Sequence, residues 1–211
     1  MLACVDGIAG VGKSTLLTWL ERRALNSGMT TRRLHFFSDA SNLRLAGHDD
    51  PVILEQQLLS TDMDRQCRAD LFRRLCSLAC DAFLSARESW GSSVTLFDRS
   101  PLSYYAYCEG VLGVGVKPWS ELEKTIAVLR PIVVVGNVVE THRRVRLRDV
   151  GQTKGVFHRL SIAEDQKVQE RFTIMASHFG LVCGDSDFAW NQLKSALQSE
   201  IDNVEISAIP D

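Results

Sequence analysis

The chain has 211 residues, with 24 Lys and Arg against 26 Asp and Glu and a net charge of −2. That length suits one α/β domain over residues 1–211, and the balanced charge excludes a general affinity for nucleic-acid backbones or anionic membranes. No apolar run reaches the roughly 18 residues that a membrane helix needs, and the N-terminus lacks a basic-then-apolar leader, so a cytoplasmic chain without membrane contact is expected. Cys4, Cys67, Cys76, Cys80, Cys108 and Cys183 show no C-x-x-C spacing. Cys76 and Cys80 share a helix face but have no His pair nearby, so all six are expected to be reduced, buried thiols.

In chain order, Leu2-Ala3-Cys4-Val5 is a short apolar run that predicts a buried strand. Residues 7–14 then read G-I-A-G-V-G-K-S, the G-x-x-x-x-G-K-[ST] phosphate-binding pattern (P-loop, Walker A). Thr15 opens a helix in which Leu16, Leu17 and Leu20 recur at helical spacing, with Leu25 near its end. A strand before the loop and a helix after it are the setting this pattern requires. Gly7, Gly10 and Gly12 let the backbone wrap closely, so that several N–H groups point at phosphate oxygens. The helix N-terminus adds partial positive charge. Lys13 is expected to reach the β- and γ-phosphates and the Ser14 hydroxyl to hold Mg²⁺, which makes ATP and Mg²⁺ the expected ligands.

Leu34–Phe37 reads as a second strand ending at Ser38-Asp39, and residues 40–53 as a loop or short helix. A helical stretch runs from about Leu54 to Ser89, broken near Thr61, with Leu71, Leu75, Leu78, Ala82 and Phe83 as an apolar stripe for the core. Ser93–Phe97 is a third strand that delivers Asp98, Gly110 to Gly115 a Gly-rich loop, and Trp119–Leu129 a helix. Ile132–Val135 is the fourth strand, and a basic helix follows from about Glu140. Ala163–Phe179 is a helix, Leu181–Cys183 the fifth strand, and Trp190–Ile201 lies in the last helix. Strands alternating with helices in this way predict a five-stranded parallel, doubly wound sheet flanked by helices. Ligands of such sheets lie at the C-terminal strand ends, where Gly7, Asp39, Asp98 and Asp185 fall.

Two more groups carry chemistry. Asp98 ends an apolar strand, and phosphoryl transfer needs a carboxylate there to hold Mg²⁺ or take an acceptor proton. Arg99 follows, suited to neutralising phosphate. Arg143, Arg144, Arg146 and Arg148 form a cationic helix, with Arg144 and Arg148 four residues apart, and the polar stretch Gly151 to Gly155 comes next. The whole predicts a helical lid over about 140–160 that closes on the phosphates and excludes water.

Together these residues resemble the thymidylate kinase and deoxynucleoside kinase group of P-loop kinases, over most of the chain. Asp98–Gly115, D-R-S-P-L-S-Y-Y-A-Y-C-E-G-V-L-G-V-G, is similar to the thymidylate kinase pattern D-R-Y-x-x-S-x-x-A-Y-x-G, with Ser103, Ala106 and Tyr107 at matching offsets. Leu58-Leu59 through Asp64-Arg65 looks like the helix whose Arg contacts the acceptor base, and Leu129-Arg130-Pro131 resembles the family's R-P-D opening with Ile132 in place of the Asp. The resemblance implies that Arg65 reads the base, Tyr107 lies by the sugar, Arg99 holds the acceptor phosphate, and Asp185 begins the adenine-contacting loop. It also brings the homodimer that such kinases often form.

The chain departs from the pattern at several points. Ala9 stands where thymidylate kinases usually carry an acid, and Tyr104 where many have a small polar residue facing thymine. The loop Phe37-Ser38-Asp39-Ala40-Ser41 has neither Pro nor Arg. Deoxynucleoside kinases place an acidic general base there, a role open to Asp39, and Ser100 and the Arg144–Arg148 spacing also lean toward them. The expected function is transfer from ATP to a nucleoside monophosphate, deoxythymidylate-like, with a deoxynucleoside kinase using Asp39 or Asp98 as base as the alternative. A nucleotide switch without transfer fits less well, because a switch needs neither the Tyr-rich stretch nor an arginine lid. A kinase acting on bases in DNA is disfavoured by the lack of a basic stripe.

Overall fold

A computed structural model describes residues 1–36, 63–86, 94–115, 120–148 and 160–207; at Ala82, Ser85, Ala86, Arg148, Glu200 and 203–207 it describes the backbone alone. Asp39, the loop and helix expected over 37–62, and the 149–159 part of the expected lid lie outside the described residues.

The central strand β1 (Leu2–Asp6) pairs with β3 (Val94–Asp98) on one side and β4 (Ile132–Val134) on the other. β2 (Thr31–His35) lies outside β3 and β5 (Cys183–Gly184) outside β4, giving the order β2-β3-β1-β4-β5 with every pair parallel. The expected α/β class with five parallel strands flanked by helices is therefore present. β1 and β3 are almost wholly buried, and such strands read as apolar runs because both faces are covered. β2 begins three residues before the expected Leu34, with Thr31-Arg32-Arg33 in the strand. It is the sheet edge, its residues are only half-buried, and an apolar-run criterion finds only its inner end. β5 likewise sits later than Leu181–Cys183.

The helices are α1 (Lys13–Asn26), α2 (Arg65–Ala86), α3 (Leu102–Tyr107), α4 (Ser120–Leu129), α5 (Val138–Arg148), α6 (Ile162–His178) and α7 (Ser186–Ser207). α1 packs on β2, β3 and α7, and Trp19 meets Trp190 there with ring centroids 4.1 Å apart. Leu16, Leu17, Leu20 and Ala24 form the buried face of α1, whereas Leu25 is exposed. Ser161 caps α6 with a reciprocal capping box to Glu164, so that the helix begins at Ile162, one residue ahead of the expected start.

On α2 the buried stripe is Ala69, Phe72, Leu75, Cys76, Ala79, Cys80 and Phe83. The expected stripe shares Leu75 and Phe83 with it, but Leu71 and Leu78 are only half-buried, since the core-facing stripe runs through Phe72, Cys76, Ala79 and Cys80 instead. All six cysteines are free thiols and four are buried, but Cys67 is exposed.

The segment from Cys108 to Leu112 is a π-helical turn continuing α3, where a Gly-rich loop was expected. A Cβ on Gly110 would lie 3.0 Å from the Val168 nitrogen and 3.1 Å from the Lys167 carbonyl carbon, so Gly110 is where this turn and α6 touch backbone to backbone. Gly110→Ala is expected to force the helices apart and lower stability by about 1–3 kcal/mol in chemical denaturation. A wild-type midpoint would contradict that packing.

Candidate active site at the β1 and β3 strand ends

Gly7 to Gly12 turn from the end of β1 into α1 at the point where the strand order reverses about β1. Gly7, Gly10 and Gly12 all have positive φ, Gly10 at 82°, so all three positions call for glycine. Gly7 has φ 139° and a Cβ there would strike the Val134 carbonyl; Gly12 has φ 107° at the N-cap of α1. The loop also touches α5. A Cβ on Gly10 would lie 2.7 Å from the Thr141 carbonyl oxygen, so the cationic helix is seated directly on the glycine loop.

Lys13 is 6% exposed and folds back over the loop, donating to the Gly7 carbonyl at 3.1 Å and the Ile8 carbonyl at 2.8 Å. Ser14 and Thr15 are exposed at the start of α1. Ser14 Oγ donates to Asp98 Oδ2 at 2.9 Å, bringing together two residues 84 apart in sequence. Both supply only hard oxygen donors, the chemistry Mg²⁺ selects, so this pair fits a magnesium site. Burial pushes the Asp98 carboxyl up, but Lys13, Arg99, His35 and the Ser14 hydrogen bond outweigh it and hold it below its ordinary value.

A carboxyl depressed in this way adds stability that is present above the unfolded value and lost as pH falls through the folded one. The stability gap between wild type and Asp98→Asn in urea unfolding should therefore be flat across neutral pH and shrink only below the ordinary value of 3.8. A gap that changes between about pH 6 and 8 would contradict the assignment.

Two residues not singled out from the sequence, Asp6 and Arg33, belong to the same centre, and a third, Gln169, braces the end of β4 beside the loop. Asp6, fully buried at the end of β1, accepts hydrogen bonds from the Ser100 hydroxyl and, at 2.6 Å, from Ser103 Oγ. Burial raises its carboxyl, while the two serines, Arg99 and Lys13 pull the other way. Asp6 ends its strand as Asp98 ends β3, so the argument that found Asp98 applies equally to it. Arg33 on β2 donates to Thr18 Oγ1 at 2.9 Å and lies 3.5 Å from Asp98 Oδ2. Gln169 on α6 clamps Gly136 after β4, accepting from its N–H at 2.9 Å and donating to its carbonyl at 3.0 Å.

Arg99 points into the protein. It has φ 78°, is 5% exposed, and donates through Nη1 to Ser103 Oγ at 3.1 Å and to the Gly7 carbonyl at 3.3 Å. Burial lowers its pKa, while Asp6, Asp98 and Asp165 raise it. Asp165 on α6 also accepts from His142 Nδ1 at 3.1 Å. Because His142 Nε2 accepts from Arg146 Nε at 3.2 Å, that bond calls for the neutral Nδ1–H tautomer.

The other expected site residues are more dispersed. Tyr104 and Tyr107 are buried; Tyr104 stacks on Phe72 with centroids 5.6 Å apart, and burial pushes both phenols up. Tyr107 is hydrogen-bonded by Arg68 of α2, whereas Arg65 is exposed at the first residue of that helix. Arg143 and Arg144 are held at Glu140 by bonds of 2.9 and 3.1 Å, which drop the Glu140 carboxyl to about 2. Asp185 is exposed and caps α7 by accepting from the Phe188 N–H at 2.8 Å.

Among the described residues no helix is long and apolar enough to cross a membrane. No family model matches the chain, and no curated protein matches it.

Proposed function

We propose that this chain is a P-loop kinase of the thymidylate kinase type, cytoplasmic, that moves the γ-phosphoryl group of ATP to a nucleoside monophosphate, deoxythymidylate-like. The observation that carries the reading is the Ser14–Asp98 contact of 2.9 Å at the mouth of a G-x-x-x-x-G-K-S loop. It joins a donor loop to an acidic strand end where the two halves of a transfer site must meet.

In this reading the loop amides and Lys13 bind the donor's β- and γ-phosphates and stabilise the charge of transfer. Ser14 and Asp98 hold Mg²⁺, which neutralises charge on the phosphates when bound. Asp98 is surrounded by Lys13, Arg99, His35 and Arg33 and stays ionised, which makes it a weak base. A weak base suits a phosphate acceptor, whose oxygen is already ionised, better than a 5′-hydroxyl, which must lose a proton. Arg33, half-buried beside Asp98 on the edge strand β2, suits an anionic acceptor. Arg143 and Arg144 would leave Glu140 as α5 and the following residues close over the phosphates.

The test is whether ADP release depends on the acceptor. With Mg²⁺ and ATP, a pyrimidine deoxynucleoside monophosphate should raise ADP production about 100-fold or more over ATP alone. An acceptor-independent rate would mean hydrolysis or a nucleotide switch and would overturn the reading.

A further inference from the structure

Arg33 begins two residues behind Asp98: in the sheet register it stands opposite Leu96, and His35 stands opposite Asp98. Its side chain therefore runs forward along the edge strand to bring Nη2 to 3.5 Å from Asp98 Oδ2. Thr18 on α1 holds it there. The Thr18 hydroxyl donates to the Ser14 carbonyl at 2.8 Å and accepts from Arg33 Nη1 at 2.9 Å. The guanidinium is thus fixed beside the Ser14–Asp98 pair through the first turns of α1.

Two properties suit this group to an incoming anion. The Arg33 side chain keeps 28% of its surface exposed, whereas Arg99 is buried and directed under the glycine loop to Ser103 and the Gly7 carbonyl. A guanidinium also carries five N–H donors, and the described bonds of Arg33 use one on Nη1 and one on Nη2. It can meet phosphate oxygens while it keeps Thr18.

We propose that Arg33 is the specificity-determining residue that recognises the acceptor's 5′-phosphate, and that Thr18 is its positioning residue. This rests on the reading that the chain phosphorylates nucleoside monophosphates, and it gives Arg33 the part that the family resemblance gives to Arg99. A phosphate gains charge-assisted hydrogen bonds from this fork that a 5′-hydroxyl cannot match, so Arg33 also separates nucleotides from nucleosides.

Steady-state kinetics with Mg²⁺, ATP and deoxythymidine 5′-monophosphate test this in wild type, Arg33→Met, Arg33→Lys, Thr18→Val and the Thr18→Val/Arg33→Met double variant. Arg33→Met should raise the acceptor KM about 30-fold while the ATP KM moves by less than about threefold. Inhibition by deoxythymidine, which has no phosphate, should stay within about twofold of wild type. Arg33→Lys keeps the charge but not the fork and should recover part of the loss. If Arg33→Met fails to fold, Arg33→Lys must itself raise the acceptor KM more than the ATP KM. Thr18→Val should raise the acceptor KM about threefold, and not at all in the Arg33→Met background.

A lower kcat at unchanged acceptor KM would mean that Arg33 acts only on Asp98. Equal rises in both KM values would place it with the donor, and an equal loss of deoxythymidine inhibition would make it a contact to the nucleoside. Each of these, or no change at all, overturns the proposal; a Thr18→Val effect of the same size in both backgrounds overturns the role of Thr18. A wild type that transfers phosphate to no nucleoside monophosphate defeats the functional reading itself, and is recognised before any variant is made.

Discussion

Lys13→Ala should reduce phosphoryl transfer by about 10³-fold, the scale seen when a group stabilising transition-state charge is removed. The chain should remain folded, because the lysine's described bonds go to two loop carbonyls, those of Gly7 and Ile8, and Arg99 still serves Gly7. Transfer of label from γ-labelled ATP gives the rate, and far-ultraviolet circular dichroism with thermal melting gives the fold. Turnover within tenfold of wild type would remove the loop from the mechanism.

The largest stability effect is expected at Asp6. Asp6→Ala removes the acceptor of two buried hydroxyls, Ser100 and Ser103, and the counter-charge of a buried guanidinium. Breaking a buried ionic set by deleting one partner costs about 3–5 kcal/mol. Asp6→Asn keeps the size and one acceptor oxygen, and should lose clearly less. Chemical denaturation checks both. An Asp6→Ala midpoint equal to wild type would mean that the serines and Arg99 find other partners, and that the set under the glycine loop is not a unit.

Much of the scaffold was legible because buried parallel strands announce themselves. Val94–Asp98 and Leu2–Asp6 are apolar runs ending in a carboxylate, and Gly7–Ser14 fixes its own strand–loop–helix setting. The elements misplaced by the sequence are those whose burial is partial or borrowed. β2 carries two arginines because an edge strand has one open side. The turn around Gly110 reads as a loop because glycine is a weak helix former, yet its missing side chain is what admits the α6 backbone.

The site divides in the same way. Ser14 and Asp98 meet as their motif spacing implies, since one opens α1 and the other ends the neighbouring strand. The direction of Arg99 was not legible: only its left-handed backbone turns the guanidinium under the loop, away from solvent. Tyr107 matches a family offset and Tyr104 departs from one, but neither carries information about how Phe72 packs against both rings or that Arg68 meets Tyr107.

The central claim is a two-substrate transfer in which the acceptor already carries a phosphate. Its most direct test is product identification with γ-labelled ATP, Mg²⁺ and a matched panel of deoxynucleosides and their 5′-monophosphates. The account predicts label in a nucleoside diphosphate, formed from a pyrimidine monophosphate and abolished in Lys13→Ala. Label in monophosphates made from nucleosides, with none in any diphosphate, would contradict it.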